Sequence, residues 1–243
     1  QITLRLARQR LTGKIQTTLV SDAGLQLQQL LESYDEILVR EVQIMDALIR
    51  RQAREVEFRL SQAPADHIVD NKLAGHESDV PRDALAGAQA QDNHGLPVDY
   101  RRQTIFLPEG VQENAVAADR DRLFDMTAAY REIHRLGPAG ILWQYTSLEN
   151  GLHMAYPGTE GQTHPPNYDP RKRPWYVQAK IADTVVRVGP IVDAVTGKLT
   201  ITVAAPLHRD EGSFAGVTAI DRTIPDILAE MRLPQRWAAG TER

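Results

Sequence analysis

Nine residues past the middle of the chain, Tyr168-Asp169-Pro170-Arg171-Lys172-Arg173-Pro174-Trp175-Tyr176, bring together three aromatic rings, three cations and two prolines. Proline fixes its own φ and restricts the residue before it, so this run presents its side chains from a constrained backbone. The planar fork of Arg173 suits a carboxylate held by two parallel hydrogen bonds, and Trp175 and Tyr176 offer ring faces with polar tips. Asp221, near the end of the last predicted strand, supplies the opposite charge. These residues suit a zwitterion with its carboxylate on Arg173 and its ammonium on Asp221. A structural use of the same residues stays open: Trp175 as a core plug, Arg173 paired with Asp169, and Asp221 capping the helix that follows.

Other chemistry has less support. The sequence contains no Gly-x-Ser-x-Gly elbow, Walker loop, Gly-x-Gly-x-x-Gly turn or His-Glu-x-x-His helix. Gly212-Ser213 lacks the flanking glycines of a nucleophile. Asp119, Arg120, Asp121, Arg122 and Asp125 read as a solvated helix face with i, i+3 and i, i+4 pairs. His67, Asp70, His76 and His94 lack the spacing of a metal site. Neither catalysis nor a cofactor is expected.

The elements that must position the charged and aromatic residues follow from periodicity. Between Gly24 and Leu60 there is no proline, and Leu27, Leu31, Tyr34, Leu38, Val42, Met45, Ile49, Ala53, Val56 and Leu60 form one helical stripe. Its mean spacing, about 3.67 residues, predicts a nearly straight helix. At ~1.5 Å per residue the helix is about 55 Å long, more than the ~40 Å width expected of the rest of the chain, so part of it is expected to carry a dimer contact or lead to chain outside this sequence. Ser61 to Val111, rich in proline and glycine, reads as loop, with a short helix around Arg82–Gln91. A second helix is expected over Gln112–Leu136, stopped by Gly137-Pro138.

Beyond it the period changes to two. Ile141–Leu148, the Asn150-Gly151 turn and Leu152–Tyr156 read as a hairpin; Val185–Val192, Asp193–Gly197 and Lys198–Leu207 read as a second. A last strand, Phe214–Asp221, precedes a short helix, Ile224–Arg232, with Pro225 in its first turn. The class is therefore α+β: a long N-terminal helix, residues 1–62, followed by an antiparallel five-stranded sheet module, residues 63–243.

Composition bounds the partners. In 243 residues, 42% are apolar and 25% charged, a globular profile, and 28 basic against 32 acidic residues give a net charge of −4. That balance argues against nucleic acid as a partner. No cysteine is present, which excludes disulfides and cysteine-ligated metals. No run reaches the roughly 18 apolar residues of a membrane helix. Gln1 in place of Met suggests a piece of something longer.

The sequence resembles the Cache domains, specifically the double Cache sensor modules found outside the membrane in bacterial and archaeal receptors. The resemblance rests on Trp143-x-Tyr145, Asn150-Gly151, Tyr156-Pro157-Gly158, the Tyr168–Tyr176 run, Asp193-Ala194-x-Thr196-Gly197 and Gly216-Val217-x-x-x-Asp221, and covers about residues 112 to 232. It implies a PAS-like sheet with a distal pocket for a small metabolite, a periplasmic or extracellular location in a membrane receptor, and anchoring by helices outside this sequence. The overhang of the long helix makes a homodimer through the N-terminal helix an expected possibility. Within that family, the amino-acid-binding subset is similar at Tyr168, Arg173, Trp175, Tyr176 and Asp221. Tyr145 and Asp193, in the quoted motifs, join them as implied ligand-binding residues. One further tyrosine of that subset falls on Ile191, which makes the pocket less polar there. The implied ligand is an amino acid or related amine, with another small carboxylate or an aromatic heterocycle as the alternative. Only twenty-two residues follow Asp221, too few for the second lobe of a double module, so either truncation or a reduced single-lobe form is expected, truncation being favoured.

Overall fold

The computed structural model describes residues 2–64, 91–93, 95–138, 140–159 and 164–230. The chain divides into two compact units, Gln1–Gln43 and Ile44–Arg243. Helix α1, Ile2–Ser61, starts well before the predicted Gly24. Within the first unit Leu25, Leu31, Ile37, Leu38, Val39 and Val42 of α1 are exposed. Within the second unit Met45, Leu48, Ile49, Gln52, Ala53, Val56 and Leu60 are buried, the helical periodicity of an element lying along a core. The short helix expected around Arg82–Gln91 lies outside the described residues, as do His67, Asp70, His76 and His94.

The elements that follow in the second unit are β1 (Gln91–Asn93), β2 (Leu96–Asp99), β3 (Thr104–Phe106), α2 (Glu113–Arg122), α3 (Met126–Leu136), β4 (Ile141–Leu148), β5 (His153–Tyr156), β6 (Gly158–Thr159), α4 (Pro174–Ala182), β7 (Val186–Val192), β8 (Leu199–His208), β9 (Phe214–Thr223) and α5 (Ile224–Glu230). The main sheet has six strands in the order β3-β5-β4-β9-β8-β7, and β1-β2-β6 form a second small sheet. All pairings are antiparallel. The five expected strands take the order 2-1-5-4-3, with the last beside the first, the PAS-like arrangement. β4 is central and every one of its eight residues is buried.

Alternation along the strands separates two cores. On β8, Val203, Ala205 and Leu207 join the cluster that holds the end of α1 together with Tyr130 and Ile133 of α3, while Ala204 joins the opposite cluster with Trp143, Tyr145, Trp175 and Tyr176. The first core buries the helix. The second positions the charged and aromatic run.

Three expectations are corrected. The predicted Gln112–Leu136 helix is two helices, broken at Leu123–Asp125. The side-chain amide of Gln103 donates to the Leu123 and Phe124 carbonyls at 3.1 and 2.8 Å, which serves oxygens at the break. Leu123 and Met126, on either side of the break, are both fully buried. Within the stretch read as loop, β1, β2 and β3 are strands of only three or four residues whose partners include distant β5 and β6, so no local period announces them. Asp119 is no solvated residue: it is buried and accepts from Arg122, Arg209 and Asn150 at 2.7–3.0 Å.

Candidate functional site

The run that opens with Tyr168 is helical over much of its length. Asp169 Oδ1 accepts from the Arg171 amide at 3.0 Å and caps a 3₁₀ turn, Pro170–Lys172. Pro174 then opens α4, where its missing N–H costs no hydrogen bond. Arg173 sits between the two turns in extended conformation. The Asp169 carboxylate is held by Arg171 at 2.9 and 3.0 Å, which leaves Arg173 free of it. Arg173 instead donates from Nη2 to the Val192 carbonyl at 3.0 Å, and its Nε is buried with no protein partner among the described residues. The guanidinium carbon lies 5.9 Å from the centroid of the Tyr168 ring.

The sheet supplies the opposite charge. Antiparallel register places Asp221 on β9 between Trp143 on β4 and Thr202 on β8. The Asp221 carboxylate accepts from the Tyr145 hydroxyl at 2.9 Å and the Thr202 hydroxyl at 2.5 Å. Burial, with the nearby Asp193 carboxylate, pushes the Asp221 pKa up to about 7 despite these hydrogen bonds. It does not cap α5; the Thr223 hydroxyl accepts from the Asp226 amide at that position. Asp193 organises the β7–β8 turn, its Oδ2 accepting from Val195 N, Thr196 N and Thr196 Oγ1 at 2.6–3.3 Å. A register shift in β7 between Val188 and Ile191 precedes this turn.

These groups line a single cavity of about 40 Å³, room for roughly three water-sized spheres. Of the seven residues singled out in the sequence, six line it: Tyr145, Tyr168, Arg173, Trp175, Asp193 and Asp221. Tyr176 does not. One position on in a helix turns a side chain by about 100°, which carries Tyr176 away from Trp175's direction. Its ring packs edge-on against Phe214 at 6.0 Å, and burial raises its hydroxyl pKa. Trp175 is both core and wall: it is buried, 4.9 Å from the Tyr145 ring, and lines the cavity.

The residues that motif reading missed are Thr104, Trp143, His153, Thr159 and His164. Trp143 stood in a quoted motif, and its Nε1 is buried without a protein partner among the described residues. His153 stood on a predicted strand with no charge partner to mark it. Among the described residues, no group of three or more histidine and carboxylate side chains is placed to hold a metal ion.

A cavity between a PAS-like sheet and a short helix, with an arginine and a carboxylate in its wall, is the architecture of a small-molecule sensor module. Residues 124–228 match the family model described as the methyl-accepting chemotaxis protein-like first PDC sensor domain. Among curated relatives, the methyl-accepting chemotaxis protein McpB of Bacillus subtilis is 38% identical over 98 residues, which cover 37% of this chain and 14% of that protein. The methyl-accepting chemotaxis protein PctB of Pseudomonas aeruginosa is 29% identical over 118 residues, 49% of this chain and 18% of that protein. The chain therefore spans less than a fifth of the length of these relatives. Among solved structures, the ligand-binding domain of the P. aeruginosa amino acid chemoreceptor PctB in complex with L-Gln is 28% identical, with a TM-score of 0.35 over 39% of this chain and 37% of that one.

Proposed function

We propose that this chain is the ligand-sensing part of a transmembrane chemoreceptor, located outside the cell membrane, and that its cavity binds a small amino acid or related amine. The observation that carries the reading is the meeting of Arg173 and Asp221 in one small ring-walled cavity. Arg173 takes the carboxylate, with the unpartnered Nε of Arg173 and Nε1 of Trp143 as donors that an anionic group satisfies. Asp221 takes the ammonium, and Tyr145 and Trp175 supply faces beside it. Similarity to chemotaxis proteins supports the receptor role. Among the described residues no helix is long and apolar enough to cross a membrane; anchoring by helices outside this sequence is part of the receptor proposal. The exposed apolar residues of α1 in the first unit support a homodimer through that helix. The domain division at residue 62 belongs to the same proposal, the helix transmitting and the remainder sensing. No catalytic role is proposed.

A second reading rests on Ile191, which lines the cavity and gives it an aliphatic wall. On that reading the ligand is another small carboxylate or an aromatic heterocycle. A thermal-shift panel of amino acids, amines, carboxylates and heterocycles separates the two, because a ligand at a hundred times its dissociation constant adds about 2.7 kcal/mol. Stabilisation by amino acids or amines is the expected result. Stabilisation by carboxylates or heterocycles alone selects the second reading, and no stabilisation by any compound overturns both.

A further inference from the structure

One polar side chain lies in the buried stripe of α1. Among the described residues of that helix, Gln52 alone is both polar and buried, beside Leu48, Ile49, Ala53 and Val56. A buried amide costs free energy unless its hydrogen bonds are made, so its partners decide its place. All of them belong to β4 and β9, the strands that carry Tyr145 and Asp221. Gln52 Nε2 donates to Thr218 Oγ1 at 2.7 Å and to the Ala219 carbonyl at 3.1 Å, and Gln52 Oε1 accepts from Gln144 Nε2 at 3.1 Å. The Tyr145 carbonyl lies 3.5 Å from the same amide nitrogen, which has only two hydrogens to give.

The hydroxyls beside Gln52 form a chain with a fixed direction. A carbonyl can only accept, so the Thr218 hydroxyl spends its one hydrogen on the Tyr145 carbonyl, at 2.9 Å. Thr146 must then donate to Thr218 at 2.9 Å, and Tyr130 to Thr146 at 2.7 Å. Gln52 and Thr146 thus both donate to Thr218, which passes a hydrogen bond to the backbone of Tyr145. Gln144 Oε1 is buried with no protein partner among the described residues, so acceptors already exceed donors and nothing replaces the Gln52 amide. In the cavity, the Tyr145 hydroxyl donates to Asp221 at 2.9 Å. Ala219, the other backbone acceptor of Gln52, pairs with Tyr145 in register and stands two residues before Asp221.

We infer that Gln52 is a positioning residue for the ligand site: from the α1 side of the sheet it fixes the β4–β9 backbone at Tyr145 and Ala219, and thereby the Tyr145 hydroxyl against Asp221. The inference rests on the reading of the cavity as the ligand site. A binding constellation must be held to within about 0.5 Å by the groups behind it, and here the group behind Tyr145 belongs to the helix. Such a coupling is reciprocal, so ligand in the cavity should also tighten the seating of this part of α1.

Calorimetric titration of the purified chain with L-alanine tests this in wild type, Gln52→Leu, Tyr145→Phe and the double variant. Gln52→Leu keeps the bulk and removes the hydrogen bonds; it is expected to weaken alanine binding by about fivefold or more. Because Gln52 acts through Tyr145, the same substitution in the Tyr145→Phe background should change affinity by less than about twofold. Ile49→Val, which loosens the packing of α1 without touching the polar network, should also stay within about twofold. Hydrogen exchange over residues 48–56 should slow when alanine is added to wild type and not when it is added to Gln52→Leu. If Gln52→Leu does not fold, Thr218→Val, which removes the hydroxyl between Gln52 and Tyr145 at nearly unchanged shape, decides in its place; if Tyr145→Phe no longer binds, the exchange comparison decides. The inference is overturned, with the ligand site intact, if wild type binds alanine and Gln52→Leu binds it as tightly, if the losses in the two single variants add, if Ile49→Val weakens binding as much, or if alanine leaves the exchange of α1 unchanged. Absence of alanine binding by wild type overturns the amino-acid reading and this inference with it.

Discussion

Asp221 carries a carboxyl whose proton is held by burial and by the neighbouring Asp193, yet its proposed partner is a cation that needs it ionised. With a folded pKa of about 7, the proton must leave when the ammonium enters, so affinity is expected to fall about tenfold per pH unit below 7 and to level off above it. Titrations between pH 5.5 and 8.5 read this directly. In the unliganded protein the sign is opposite. Because the folded pKa lies above the ordinary value of 3.8, the group's contribution to stability is full below that value and is lost as pH rises through about 7. Asp221→Asn should therefore flatten the pH dependence of melting and weaken ligand binding at least tenfold, measured by thermal denaturation and calorimetry. Tyr176 teaches a different lesson at this scale. Its pairing with Trp175 suggested a shared role, and only the helical start at Pro174 separates them, one into the cavity wall and the other against Phe214.

At the scale of elements, β4 and β9 matter most because their two faces serve different ends. Tyr145 and Asp221 line the cavity. On the same strands, Thr218 Oγ1 and the Ala219 carbonyl accept from the fully buried Gln52 of α1 at 2.7 and 3.1 Å, and Gln144 donates to Gln52 Oε1 at 3.1 Å. Gln52→Ala leaves this network unsatisfied and should cost about 1–3 kcal/mol, read by urea denaturation. Gly216 sits at a close approach of the β4–β9 pair. A Cβ there would lie 2.3 Å from the Ser147 carbonyl oxygen at a φ of +155°, so Gly216→Ala should destabilise by a comparable amount, read in the same way. Much of this framework was legible. The β-branched and aromatic run Ile141–Leu148 and the Asn150-Gly151 turn marked the central strand and its hairpin, and Asp193–Gly197 marked the second turn. The rest depended on distant partners. β1 to β3 are too short for a period, and β2 contains Pro97. Leu123 and Met126 fit a continuous helix by propensity, and nothing local marks the break, where both are buried and Gln103 serves the Leu123 and Phe124 carbonyls. His153 and His164 escaped motif reading because they meet through the fold and not through spacing.

The molecule as a whole joins a helical unit to a sensing unit whose cavity occupies the side of the sheet opposite the buried end of α1. Leu31, Leu38 and Val42 keep the stripe that the sequence shows but are exposed in the first unit, which suits them to a second copy of the chain. Leu38→Asp together with Val42→Asp is expected to lower the dimer population in sedimentation experiments while ligand affinity stays within threefold, since neither residue lines the cavity. The account stands on the charged pair at the site. Its most direct test is calorimetric titration of wild type and Arg173→Ala with L-alanine, after thermal denaturation has verified that the variant folds. A loss of affinity of at least a hundredfold in Arg173→Ala is the predicted result, and an unchanged affinity would contradict the assignment of this cavity as the ligand site.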